Sequence, residues 1–142
     1  MDVAANGLVI DANILIDAVL GTRVRAILEA FEDKIRFFCP DVCVSDARRN
    51  IPTICERHGL DELLSLRILQ RIEKMLEIVA LSTYATREPA GRERIHSRDP
   101  DDWPVIAAAL ALDLPIWTED RDFFGCGVAT WITNTVEIYL RA

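Results

Sequence analysis

The sequence predicts an α/β fold, a three-layer sandwich with a mainly parallel central sheet of four to five strands flanked by helices. Short apolar runs alternate along the 142 residues with longer segments of helical periodicity, which is the arrangement expected of βαβ units. Each predicted strand is a short, mostly apolar run, as is typical of parallel strands covered by helices. No internal repeat or low-complexity linker interrupts the chain, so we expect residues 1–142 to form a single domain.

Apolar spacing indicates the first strand and the two helices that follow it. GLVI predicts a buried strand, and ANILIDAVL predicts a short helix that ends near Gly21. Thr22 is placed to cap the next helix, RVRAILEAFEDK. The apolar residues of that helix recur at the spacing of one helical face: Val24, Ile27, Leu28 and Phe31.

A second strand and a long helix come next. IRFFC predicts the strand, and DVCVSDARRNI begins a helix after Pro40. We expect Pro52 to kink or end this helix, because proline cannot donate the helical hydrogen bond. Gly59 is expected to stop its continuation.

The clearest helical pattern of the chain is DELLSLRILQRIEKML, and EIVAL after it predicts a third strand. The apolar residues of the helix recur every three or four positions: Leu63, Leu66, Leu69, Ile72 and Leu76. Residues 83–98 are polar and contain Pro89 and Gly91, so we expect an irregular connection there.

The last part of the chain is expected to hold a buried helix, two strands and a closing helix. WPVIAAALAL is almost wholly apolar and predicts the buried helix, with Pro104 tolerated in its first turn. LPIWT and VATWI predict the fourth and fifth strands, and NTVEIYLRA predicts the closing helix.

Composition and charge narrow the class of protein. The net charge of −7 argues against a protein that simply coats nucleic acid, but it allows an enzyme with a small acidic pocket neutralised by cations. The four cysteines form no CxxC pair and are expected to be packing thiols in a reducing cytoplasm. We expect neither a signal peptide nor a membrane span, since no apolar run reaches about 18 residues. The expected location is therefore the cytoplasm.

Acidic residues recur where predicted elements meet. Asp11 follows the first strand, Asp120 and Asp122 follow the fourth, and Asp102 opens the buried helix. Asp46 lies inside the helix after the second strand, where aspartate is a poor residue unless its carboxylate is needed. In an open α/β sheet, ligands bind outside the carboxyl ends of the strands. Taken singly, each acid can equally be read as a helix cap or a turn residue.

Taken together, the acids indicate a metal site. Carboxylates within 4–6 Å of one another repel by about 4 kcal/mol per close pair at an effective dielectric of about 20, so a fold keeps them only with cations or protons. Mg²⁺ and Mn²⁺ prefer oxygen ligands, and two such ions can clamp a phosphodiester. A dehalogenase-type phosphatase would need a second aspartate where Asn13 stands, and no phosphate-binding glycine motif is present.

Four segments in order resemble the PIN-domain nucleases, including the virulence-associated toxin ribonucleases of bacterial toxin–antitoxin operons. The segments are LVIDANILI, the acid within VCVSDARRNI, DPDDWPVIAAALAL and PIWTEDRDF, and together they cover nearly the whole chain. The resemblance implies Mg²⁺- or Mn²⁺-dependent cleavage of RNA, and it is compatible with an antitoxin partner and a homodimer. The alternative is a non-catalytic PIN-like module that binds a metal or a partner.

The resemblance also implies residue roles. The positions that match the acidic metal-binding and catalytic set are Asp11, Asp46, Asp102 and Asp120, with Asp122 and Asp99 as auxiliary ligands. Asn13 resembles the polar residue that often follows the first acid, and we expect it to bind substrate. The second acid of the family is usually Glu, so Glu56 remains an alternative to Asp46.

Arginines around these acids are candidates for gripping phosphate. Arg92, Arg94 and Arg98 lie in the connection before Asp102, and Arg48 lies close to Asp46. Guanidinium groups suit phosphate oxygens, so we expect these four to bind substrate. The alternative is that the arginines of the connection belong to a solvated loop.

Overall fold

A sheet of five parallel strands is the centre of the computed structural model, which describes residues 6–95 and 99–142. The strands are β1 (Gly7–Ile10), β2 (Arg36–Pro40), β3 (Leu76–Val79), β4 (Ile116–Trp117) and β5 (Thr130–Trp131). Their order across the sheet is β3-β2-β1-β4-β5, and every neighbouring pair is parallel. The predicted α/β class and parallel sheet are confirmed.

Helices cover the sheet. They are α1 (Ala12–Leu20), α2 (Arg23–Phe31), α3 (Asp41–His58), α4 (Glu62–Glu73), α5 (Leu81–Tyr84), α6 (Glu88–Ile95), α7 (Trp103–Leu112) and α8 (Val136–Leu140). All four residues of β1 are buried, as expected for a central strand covered on both faces. In the described part of the chain, no helix is long and apolar enough to cross a membrane.

Helix α7 is buried along most of its length and carries Asp102 at its amino end. Residues 104–109 are all buried, which explains why this helix is apolar on every side. A Cβ on Gly91 of α6 would lie 2.9 Å from the carbonyl oxygen of Trp103. Glycine at this position therefore lets α6 approach α7 closely.

The prediction of an irregular connection over residues 83–98 is wrong for its described part. Residues 85–87 form a 3₁₀ turn between α5 and α6, and residues 96–98 lie outside the described residues. Pro89 is accommodated because it stands in the first turn of α6, where its missing N–H costs no hydrogen bond. Gly91 serves the close packing described above, so neither residue interrupts the helix.

The structure decides two expectations about helix boundaries. Of the two outcomes expected for Pro52, an end of the helix is excluded, because α3 continues to His58; it stops at Gly59, as predicted, in the left-handed conformation with φ of 66°. The extension is held by packing, since Cys55 is buried and its Sγ lies 3.4 Å from the Ser65 hydroxyl of α4. Thr22 precedes α2 as predicted, but its side chain makes no capping hydrogen bond.

The predicted apolar stripe of the α4 segment is only partly buried. Leu69 and Ile72 are buried, whereas Leu63 is 62% exposed and Leu76 already belongs to β3. Asp61 caps α4 by accepting a hydrogen bond from the Leu64 amide at 2.9 Å. The helix is therefore shorter than its periodicity suggested.

Candidate metal-binding active site

The carboxyl ends of β1 and β4 lie side by side, and this brings Asp11 and Asp120 to the same edge of the sheet. Ile10 pairs with Trp117 in the parallel register. The next residues, Asp11 and Thr118, are therefore neighbours, and the Thr118 hydroxyl donates a hydrogen bond to Oδ2 of Asp11. A contact spanning most of the chain thus forms one wall of the site.

Asp11 is buried, and its carboxylate accepts two hydrogen bonds. Its Oδ1 accepts from the Ile14 amide at 2.9 Å and so caps α1, while its Oδ2 accepts from Thr118. Burial raises the pKa of Asp11 to about 6, although both hydrogen bonds oppose that rise. The capping and site interpretations of this residue are therefore compatible.

Thr118 is a site residue that the sequence interpretation missed. It is fully buried, and its Oγ1 accepts from the Asp120 amide at 2.9 Å while the hydroxyl proton goes to Asp11. Asp120 in turn accepts from the Asp122 amide at 2.9 Å. The only sequence signal was a hydroxyl residue directly after a strand, and such residues are common in turns.

The carboxylate of Asp102 is incompletely paired. Its Oδ2 is buried and has no hydrogen-bond partner among the described residues. Its side chain also makes no capping hydrogen bond to α7. Burial, followed by the negative charges of Asp99, Asp120, Asp11 and Asp122, raises the pKa of Asp102 to about 7. A buried, unpartnered carboxylate oxygen is costly unless a proton or a metal occupies it.

The acids predicted from the sequence come together in one place. A cavity of about 210 Å³ opens beside α3 and α7, and its wall includes Asp11, Asn13, Asp46, Asp99, Asp102 and Asp120. Asp102, Asp120 and Asp122 each offer an oxygen, and these oxygens lie within 4.8 Å of one another. Carboxylate oxygens in this number fit Mg²⁺ or Mn²⁺, which favour hard oxygen ligands.

Helix α3 carries both candidates for the second acid of the site, Asp46 and Glu56. Asp46 lines the cavity and its carboxylate is paired with Arg49 on the next turn. Glu56 is exposed and is not among the described residues that line this cavity. The geometry therefore favours Asp46 over Glu56 as the acid from this helix.

Two of the predicted phosphate-binding arginines already have carboxylate partners. Arg48 bonds Glu73 of α4 at 2.6 Å. Arg92 bonds Glu88 at 2.6 Å and lies over the Trp103 ring, 5.1 Å from its centroid. A phosphate would have to replace these carboxylates.

Of the other two predicted phosphate-binding arginines, only Arg94 lies within the described residues. Arg94 donates to the Cys126 carbonyl at 2.9 Å, and Gly127 leaves room for it because a Cβ there would lie 2.1 Å from the Arg94 Nη1. Arg98 lies outside the described residues. The substrate-binding role of these arginines stays a prediction.

Fold and site define a class of protein, an α/β sandwich with an acidic cavity at the carboxyl edge of a parallel sheet. The family model of the PIN domain matches residues 9–141. The chain therefore belongs to the PIN domain family, as the sequence resemblance predicted. A comparison with curated protein sequences finds no match.

Solved structures share this fold at low sequence identity. PAE2754 from Pyrobaculum aerophilum has a TM-score of 0.73 and 14% identity over 96% of this chain and 90% of its own. VapBC2 from Rickettsia felis, bound to a DNA fragment from its promoter, has a TM-score of 0.70 and 11% identity over 89% of this chain and 98% of its own. FitAcB from Neisseria gonorrhoeae has a TM-score of 0.60 and 18% identity over 89% of this chain and 97% of its own.

Proposed function

We propose that this protein is a Mg²⁺- or Mn²⁺-dependent endoribonuclease that hydrolyses RNA phosphodiester bonds. The observation that carries the proposal is the buried, unpartnered Oδ2 of Asp102, which shares its surroundings with the carboxylates of Asp120 and Asp122. A protein keeps such a group when a cation is its partner. Membership of the PIN domain family supports nuclease chemistry at this site.

The residues of the chain have separate roles in the proposed reaction. Asp102, Asp120 and Asp122 would hold the metal, and Asp11, Asp46 and Asp99 would complete the ligand set across the cavity. Thr118 holds Asp11 and the Asp120 backbone in fixed positions. When bound, the metal supplies an activated water and offsets charge developing on the phosphate, so no histidine base is required.

We also propose that the protein is the toxin of a toxin–antitoxin pair acting in the cytoplasm. Support comes from neighbours of the same fold whose names are those of two-component complexes, VapBC2 and FitAcB. An antitoxin protein is the partner that this likeness suggests, and a homodimer is the assembly that we expect. Co-expression with the product of the adjacent gene, followed by size-exclusion chromatography, tests both.

Cleavage of single-stranded and of structured RNA with Mg²⁺, Mn²⁺ or EDTA tests the enzymatic proposal. We expect cleavage with metal, none in EDTA, and a loss of about 100-fold or more in Asp120→Asn, because a metal ligand is lost. Asp113→Asn is the matched control. It removes the same charge at the far end of α7, where φ of 56° suits asparagine.

Two outcomes would contradict the proposed activity. Cleavage that persists in EDTA would remove the metal from the mechanism. Equal rates for Asp120→Asn, Asp113→Asn and wild type would show that the acidic cavity is not the site of reaction. Circular dichroism of each variant confirms that the fold is retained.

A further inference from the structure

Arg49 and Asp46 form an ion pair on α3 at the rim of the acidic cavity. Nη2 of Arg49 contacts Oδ1 of Asp46, and the two side chains are 69% and 44% exposed. Asp46 is at the same time a wall residue of the cavity that Asp11, Asp102 and Asp120 line. The guanidinium therefore neutralises one carboxylate of the candidate metal site.

The neighbouring arginine is oriented differently. Successive residues of an α-helix point about 100° apart, and Arg48 reaches α4, where it bonds Glu73 at 2.6 Å. Glu73 is only 20% exposed, so Arg48 is held against the protein surface. Of these two adjacent arginines, Arg49 is the one that contacts a cavity carboxylate.

An exposed ion pair is easily exchanged, because both ions keep much of their hydration and little energy is lost on separation. A divalent cation offers a carboxylate a higher charge and can bind several carboxylates at once. We propose that Arg49 is a resident counter-ion of Asp46 that the divalent metal displaces, and that the released guanidinium then binds a phosphate of the RNA. This inference rests on the proposed function and adds a coupling between its metal and its substrate.

The coupling follows from the chemistry of the three charged groups. In the metal-free protein, Arg49 reduces the repulsion among the carboxylates and is itself occupied. With the metal on Asp46, the guanidinium is free beside the site and can donate two parallel hydrogen bonds to a phosphate. Because binding free energies are reciprocal, metal should strengthen RNA binding and RNA should strengthen metal binding.

Isothermal titration with Mn²⁺ tests the first half of the proposal. We expect Arg49→Gln to bind Mn²⁺ about two- to fivefold more tightly than wild type, since a competing cation is removed. Arg48→Gln is the matched control, with the same change of charge one residue away, and its effect should be smaller. In an Asp46→Asn background, Arg49→Gln should change the affinity no further.

Fluorescence anisotropy with a short single-stranded RNA tests the second half, in EDTA and in Ca²⁺, with the RNA checked for integrity afterwards. Wild type should bind RNA more tightly in Ca²⁺ than in EDTA, and Arg49→Gln should lose this gain. The inference is overturned if Arg49→Gln binds Mn²⁺ no more tightly than wild type, or keeps the full gain in RNA affinity. Failure of wild type to bind Mn²⁺ would instead overturn the proposed function and this inference with it.

Discussion

Thr118→Val tests how the proposed site is held together. The substitution replaces a hydroxyl with a methyl group of similar size at a fully buried position. It removes the donor to Oδ2 of Asp11 and the acceptor for the Asp120 amide, which lies 2.9 Å from Oγ1. The packing is preserved, but a buried carboxylate and a backbone N–H each lose a partner.

The expected magnitude follows from the charge on Asp11. A hydrogen bond to a charged group contributes about 1.5–3 kcal/mol, and about 1.36 kcal/mol corresponds to one pKa unit. Losing the Thr118 bond should therefore raise the pKa of Asp11 from about 6 to roughly 7–8. At neutral pH the carboxyl would be largely protonated, and Mn²⁺ affinity should fall about 10- to 100-fold.

Calorimetric titration with Mn²⁺ at pH 7 and pH 9 measures the effect. The loss should shrink at pH 9, where Asp11 is ionised in both proteins, and Thr118→Ser should restore the affinity. Thr133→Val is the control, because it removes another buried hydroxyl that accepts from the Trp117 indole at 3.1 Å. Unchanged affinity, or an equal loss at both pH values, would refute the role assigned to Thr118.

Two further predictions concern Asp102. In EDTA, Asp102→Asn should be at least as stable as wild type, because it removes one of several repelling carboxylates. With Mn²⁺ at a hundredfold excess over Kd, wild type should gain about 2.7 kcal/mol of stability. Wild type should then be the more stable of the two proteins. Equal metal-induced shifts in thermal melts would contradict ligation by Asp102. The pKa of Asp102 is raised from 3.8 to about 7, which means that the folded protein favours the neutral carboxyl. The contribution of this group to the free energy of unfolding is therefore complete below pH 3.8 and is lost as pH rises through about 7. The metal-free advantage of Asp102→Asn should therefore grow between pH 5 and pH 8, and a constant difference would contradict the raised pKa.

The irregular features of the fold show where local sequence rules were insufficient. Pro89, Gly91 and Pro52 all lie in helices, although each is a helix breaker by propensity. Gly91 is there because α6 and α7 nearly touch. Pro89 is tolerated by a local rule, because it stands in the first turn of α6. Tertiary packing outweighs propensity at Gly91 and in the part of α3 that follows Pro52, and packing partners cannot be read from a local window.

In the candidate site, too, some features follow from the local sequence and others depend on the tertiary structure. The order of strands and helices, the buried α7 and the positions of Asp11, Asp102 and Asp120 at element boundaries were determined by the sequence itself. They depend on local periodicity and on the rule that parallel strands bring their carboxyl ends to one edge. The cavity lined by these three residues and Asp46 agrees with that expectation.

Only the tertiary structure decided which atoms meet. The pairing of Ile10 with Trp117 sets Thr118 against Asp11, and the burial of α7 leaves one Asp102 oxygen without a partner. The phase of α3 turns Asp46 toward the cavity and Arg48 toward Glu73 of α4. These contacts join residues on different elements, or choose between neighbours on one helix, so they depend on strand register and helix rotation that a single sequence does not encode locally.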